Sequence, residues 1–315
     1  MNQITAAIPK ERLKDYRSNS LWRLTLRRIF RQRSFVIGTV LLAILLTCAI
    51  FAPLIAPYPP DKVLIGVEDI SKRAAPCIHL LGCPVDQPQH LMGVDGNVRD
   101  QFSRIIYGSR VSLMIGFTTV GFAILIGTFL GSISGYFCGW LDNIVMRLMD
   151  VLMAFPSLLL SIAIVSVLGP GLQNALIAIG IVSIPIYARV VRASVLSVKE
   201  QAYVSASLAI GGSHAHILLQ RILPNAIPPL IVQATLGIGT AILDAAALSF
   251  LGLGAQPPTP EWGTMLGSER NQVFTAPHLV FYPGIAIMIT VLAFNLLGDG
   301  LRDAIDPRLN QEIQE

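Results

Sequence analysis

Glu200 to Pro229 reads EQAYVSASLAIGGSHAHILLQRILPNAIPP, a polar and helix-breaking stretch set between two hydrophobic runs. Its pattern predicts a short helix, a glycine hinge at Gly211 and Gly212, a second short helix carrying His214 and His216, and a return to apolar sequence marked by Pro224. A membrane protein presents a docking surface to a soluble partner in this way. The reading requires that the flanking runs cross a bilayer.

Composition supports that requirement. Hydrophobic residues make up 53% of the 315-residue chain and charged residues 13%, with a mean hydropathy of +0.63. A spanning helix needs about 20 predominantly apolar residues, because each backbone polar group must be satisfied within its own segment. Six stretches meet this test, at about 35–57, 110–136, 144–168, 172–191, 226–251 and 281–301. Pro185 interrupts the fourth, and Gln173 and Asn174 polarise its start. The expectation is an all-α membrane protein of six transmembrane helices. A basic segment at 1–34 precedes a first helix at 35–57 and an exported loop at 58–109. A five-helix core follows at 110–301, with its cytoplasmic loop at 200–224, and then a tail at 302–315.

Orientation follows from short-loop lysines and arginines. Residues 1–34 hold nine of them against Glu11 and Asp15, which predicts a cytoplasmic amino terminus, and six crossings return the carboxyl terminus to the same side. The loop at 192–225 is then cytoplasmic, while 58–109 and 252–280 face outward. The basic start reads as an anchor against anionic headgroups rather than a nucleic-acid site. It is also too long for a cleaved signal peptide.

Four cysteines divide by location. Cys48 and Cys138 sit in or beside hydrophobic runs as small apolar fillers. Cys77 and Cys83 lie in the exported loop within SKRAAPCIHLLGCP, where a disulfide, free thiols, or a metal shared with His79 and His90 are all open readings. Gly127, Gly131, Gly135 and Gly139 recur every four residues and predict a helix-helix seam. Met146, Met149 and Met153 repeat at helical spacing and read as packing. Pro156 and Pro185 are expected to kink their helices.

Charge within apolar runs is expensive and points to function or pairing. Arg147 and Asp150 lie three apart on one helix face, as a structural pair or a relay. Asp244 has no local partner and is expected to face the bundle interior, either bonded to a neighbouring span or serving gating. No phosphate-binding G-x-x-x-x-G-K-[ST] occurs, nor H-E-x-x-H, C-x-x-C or a G-x-S-x-G elbow in a strand-turn-helix setting. An enzyme is not expected, and the chain is not expected to bind ATP itself.

Tyr203 to Pro224 resembles the EAA loop of ABC-importer permeases, in which a glycine lies 13 residues before the proline of a Leu-Pro pair, here Gly211 and Leu223-Pro224. HLMGVDGNVRDQFSRIIYGSRVSL (His90–Leu113), LSFLGLGAQPPTPEWGTML (Leu248–Leu266) and PGIAIMITVLAFNLLGDGLRDAIDPR (Pro283–Arg308) resemble blocks of the dipeptide, oligopeptide and nickel importer family, in its DppC/OppC-like permease subunit. The similarity covers nearly the whole chain apart from about 66–89. Ser205 replaces the usual glutamate of the loop and Ser207 its second alanine; Val94 and Val98 stand where Thr and Gly are usual, and Asp244 where Glu is common.

The resemblance implies a MetI-like permease fold in a bacterial or archaeal cell membrane. It implies two ATPase subunits that bind ATP and Mg, a second homologous permease, an extracytoplasmic binding protein, and no cofactor on this chain. Tyr203, Ala206, Gly211, Gly212, His214, Leu223 and Pro224 would form the ATPase coupling site. Peptides, nickel or related solutes are the implied substrates. An ion-coupled transporter or channel without an ATPase is the alternative, although only Asp150 and Asp244 offer intramembrane carboxylates for it.

Overall fold

The computed structural model describes residues 29, 30 and 32–305. The basic start expected at 1–34 and the tail at 302–315 lie largely outside these residues. Helix α1 (Arg33–Ile50) is followed by the one-turn α2 (Ala52–Ile55), with Pro53 at its second position. The loop that follows leads into α3 (Gln101–Phe137), 37 residues long. At 1.5 Å per residue α3 is about 55 Å long, far more than the ~30 Å hydrocarbon core. The expected span at 110–136 is its apolar part. The polar turns before it, capped by Asp100 accepting from the Ser103 N–H, stand outside.

The expected third span at 144–168 is two helices, α4 (Gly139–Met153) and α5 (Ser157–Leu168), bent by 91°. Pro156 has no N–H to extend the helix and disfavours helical geometry at Phe155, so the chain breaks there instead of kinking. Hydropathy counting sees the composition of such a segment but not the corner. Helix α6 (Leu172–Lys199) instead runs unbroken through the buried Pro185 and continues two turns past the expected boundary at 191. Then come α7 (Ala202–Ala209), α8 (His214–Ile217), a π-helical turn at Leu218–Ile222, and α9 (Leu223–Phe250). The short α10 (Trp262–Glu269) precedes α11 (His278–Ile305). Five helices are long and apolar enough to cross a membrane, or six if the bent pair makes one span.

The core is built around α3 and α6, which share the most extensive contact, with α9 against both and α11 between α9 and α1. In lipid, helices gain little from burying apolar surface and associate by close packing, so small residues mark the seams. A Cβ on Gly127 would lie 2.7 Å from Tyr187 Cβ, and one on Gly135 2.9 Å from the Arg192 carbonyl; Gly131 faces the Ala188 backbone. The fourth glycine of the stripe departs from expectation. Gly139 has φ +67 in the turn into α4 and touches nothing. Of the methionines, Met149 is buried, Met146 packs on the core and Met153 is exposed.

Candidate functional site

The two ends of the bundle carry its polar architecture. At one end, α7 closes with a Schellman cap: the Gly212 N–H donates to Ser207 O and the Gly211 N–H to Leu208 O, both at 3.0 Å. Gly211 has φ +85, the left-handed geometry this cap needs. A Cβ on Gly212 would sit 2.7 Å from the Ser207 carbonyl, so the second glycine serves close approach. The expected hinge is therefore a defined corner. Ser213 caps α8 by accepting from the His216 N–H.

Val204, Ile217 and Ile222 are fully buried and fix α7 and the π turn onto the bundle. The Tyr203 hydroxyl donates to Arg221 O at 3.4 Å and accepts from Asn225 Nδ2 at 3.2 Å, bracing α7 against the start of α9. His214 Nδ1 lies 2.7 Å from the Tyr136 hydroxyl, and Lys199 Nζ donates to Tyr136 O at 2.7 Å. The last turn of α3 is thereby held between α6 and α8. Leu223 is half-buried and Pro224 exposed at the start of α9. What remains open to solvent is a crest of small and apolar side chains, Ala206, Leu208, Ala209 and Ile210, beside Ser205. Replacing the usual glutamate with Ser205 leaves this crest uncharged.

The same end contains ion pairs that sequence spacing hid. Arg192 Nε and Nη2 donate to the two oxygens of Asp142 at 2.6 Å each, and Ser134 also donates to Asp142. Asp150 pairs with Arg189 of α6, not with Arg147, which is exposed and has no ion pair among the described residues. The expected Arg147–Asp150 pair is corrected by geometry: α4 crosses α6 and brings Arg189 nearer than its own neighbour three residues away. Asp244 is half-buried in α9, and its carboxylate makes no hydrogen bond with another described residue. The bonded partner expected on a neighbouring span is absent among them.

At the opposite end the loop between α2 and α3 is folded. Leu64, Val94 and Val98 form a small core with Tyr58, Ile70 and Ala74. Cys77 and Cys83 are joined by a disulfide, their Cα atoms 5.4 Å apart. His79 bonds the Gln87 carbonyl and His90 lies between two carboxylates, so neither approaches the sulfurs as a metal ligand would. Asp95 accepts from the Asn97 and Arg99 N–H groups and the Arg99 guanidinium. Arg104, 3% exposed, donates to Pro60 O and Pro258 O. Arg73 pairs with Glu269 at 2.8 Å, and the Gly96 N–H donates to the same carboxylate at 3.0 Å.

Glu261 caps α10 by accepting from the Gly263 and Thr264 N–H groups. Burial pushes its carboxyl up, and those two hydrogen bonds pull against it. Trp262 Nε1 donates to Ile105 O. Arg73, Arg104 and Trp262 escape sequence reading because their partners lie 44 to 196 residues away; their one signal is an excess of charged and amide side chains just outside apolar runs.

The family model for the binding-protein-dependent transport system inner membrane component matches residues 127–311, over half the chain. The chain belongs to that family. A second model, the N-terminal transmembrane domain of oligopeptide transport permease C, matches residues 20–76. The dipeptide transport system permease protein DppC of Alkalihalophilus pseudofirmus is 45% identical over 93% of this chain and 92% of its own length. A glutathione transport system permease protein, GsiD of Escherichia coli, is 45% identical over 91% of each. The di/tripeptide permease DppC of Pseudomonas aeruginosa is 47% identical over 86% of this chain and 87% of its own.

Among solved structures, an inward-facing form of the MetNI methionine ABC transporter aligns with a TM-score of 0.54 over 64% of this chain and 97% of its own, at 20% identity, a likeness of fold. The permease is thus a multi-pass membrane component of an importer that works with a binding protein. The ion-coupled alternative gives way to this.

Proposed function

We propose that this permease forms half of the pathway by which an ATP-driven importer admits small peptides, a second homologous permease forming the other half. The crest at Ala206–Ile210 carries the reading, because it is an uncharged, exposed ridge braced to two membrane helices, to α9 through Tyr203 and to α3 through His214, with Lys199 of α6 on the same Tyr136. Such a ridge fits a surface groove on an ATPase by close packing, and can pass a push to α3, α6 and α9 without bending. Tyr203, Ala206, Gly211, Gly212, His214, Leu223 and Pro224 are its working residues. Two cytoplasmic ATPase subunits hold the ATP and Mg, and this chain holds no cofactor. The crest and both termini then face the cytoplasm, and the exported loop receives a binding protein. Peptides, rather than nickel, are favoured because dipeptides, di/tripeptides and glutathione are what the similar permeases are named for.

The test is reconstitution with the neighbouring ATPase, permease and binding-protein genes. Wild-type complex should show peptide-stimulated ATP hydrolysis. Ala206→Glu, which adds bulk and charge to the ridge, and Gly211→Asp, which strains the left-handed corner, should insert normally but lose ATPase association and uptake together. Retention of stimulated hydrolysis by both variants would remove the coupling assignment.

A further inference from the structure

His90 is fully enclosed, at 0% exposure, within the folded loop between α2 and α3. Its Nδ1 lies 2.8 Å from Asp100 Oδ1 and its Nε2 2.9 Å from Glu68 Oε2. The remaining carboxylate oxygens are also occupied. Glu68 Oε1 accepts the Tyr58 hydroxyl at 2.8 Å, and Asp100 Oδ2 accepts the Ser103 N–H and hydroxyl at 2.7 and 2.6 Å. The Tyr58 ring stacks on the imidazole at 5.6 Å. A neutral imidazole has one donor and one acceptor, whereas two ionised carboxylates only accept, so both contacts are satisfied together only by the imidazolium.

The ring joins four segments. Tyr58 follows α2, Glu68 closes the turn that begins at Leu64, and Asp100 caps α3. The fourth is the disulfide loop, since the backbones of His90 and Cys77 exchange both N–H···O bonds at 2.9 and 3.0 Å. We propose that His90 is a positioning residue for import: carrying its proton, it bridges Glu68 and Asp100 and locks the exported loop to the outer end of α3, and losing that proton frees the loop. Its bearing on import rests on the loop's role proposed above; the clasp itself does not.

The titratable groups facing His90 are Tyr58, Glu68 and Asp100, with Lys62 Nζ over the Tyr58 ring, 5.2 Å from its centroid. Cys77 is disulfide-bonded and does not titrate. Burial, and then the bond to Glu68, pushes the Tyr58 hydroxyl up to about 12, so it stays neutral near physiological pH. Burial opposes charge on His90, but the hydrogen bonds to Asp100 and Glu68 outweigh it and raise its pKa above the ordinary value. The stabilisation is therefore complete below the unfolded value of about 6.5 and is lost as pH rises through the raised folded value.

The experiment is hydrogen exchange across residues 58–100 in the assembled transporter, from mildly acid to mildly alkaline pH and normalised for intrinsic rates, alongside peptide import over the same range. Protection of the Cys77 and His90 amides should fall on the alkaline side by up to about tenfold per unit of pH. Import should fall in the same window. Glu68→Gln, nearly isosteric, should move the window to lower pH. His90→Gln should abolish the pH dependence of both readouts.

Flat protection in the wild type, or an unmoved window in Glu68→Gln, would overturn the clasp. Exchange that follows pH while import does not would overturn the positioning role. Absence of any peptide import at neutral pH would instead count against the permease reading, because the exchange measurement does not depend on transport.

Discussion

Gly131 shows how one missing methyl group sets the spacing of two helices. It sits on α3 against the Ala188 backbone of α6, with Gly127 and Gly135 one turn to either side. Gly131→Leu should force the pair apart, with a loss of about 1–3 kcal/mol and a lower melting temperature in detergent. Gly121→Leu on the same helix, where a Cβ would meet nothing within 4 Å, should leave melting nearly unchanged. Equal effects would show that helix propensity, not the seam, decides. The four-residue repeat was legible in the sequence, yet it also enrolled Gly139, because a spacing rule cannot see that the helix has already ended at Phe137. Val98 is a reverse case. The resemblance expects Gly there, and the residue adopts φ +55 despite its β-branched side chain. That geometry costs about 1–2 kcal/mol, offset by burial against Leu64 and Val94.

Helix α4 is where element-level reading failed most clearly, and its ion pairs are the reason it matters. Counted by hydropathy, 144–168 is a span; folded, its first part is an amphipathic helix tied across α6 by Asp142–Arg192 and Asp150–Arg189. These partners lie 50 and 39 residues apart, beyond any local periodicity. The two ties should differ in strength. Arg192 grips both oxygens of an Asp142 side chain that is only 14% exposed, whereas Asp150 and Arg189 are 60% and 44% exposed. Arg192→Ala should cost about 1–3 kcal/mol by leaving a partly buried carboxylate with Ser134 as its remaining donor, and Arg189→Ala about 1 kcal/mol or less. Comparing thermal unfolding of the two variants at low and high salt checks this; the Arg189 effect should shrink further with salt while most of the Arg192 effect persists.

Across the whole molecule, α3 is the rod that links the two polar ends. Its first turn sits in the His90 clasp, and Tyr136 in its last turn bonds His214 of the crest. Apolar runs made the spanning helices legible, because the bilayer imposes one local requirement on each. What fastens the end that carries the His90 loop could not be read, since it depends on contacts such as Trp262 to Ile105, 157 residues apart, and Arg73 to Glu269, 196 apart.

Glu269 is the more exposed to test of these fastenings, because it serves two partners. Its carboxylate accepts from both the Arg73 guanidinium and the Gly96 N–H, and its side chain is 9% exposed against 39% for Arg73. Arg73→Ala removes a half-solvated cation and leaves the carboxylate its bond to Gly96, so the loss should be about 1 kcal/mol or less. Glu269→Ala strips the acceptor from the half-buried Gly96 N–H as well, and that unsatisfied donor adds about 1 kcal/mol. Glu269→Gln, which keeps an oxygen for Gly96 but not the charge, should fall between them. Hydrogen exchange at Gly96 and melting of the purified chain would order the three variants. If Arg73→Ala proved as damaging as Glu269→Ala, the ion pair rather than the backbone bond would be holding the loop before α3 to α10.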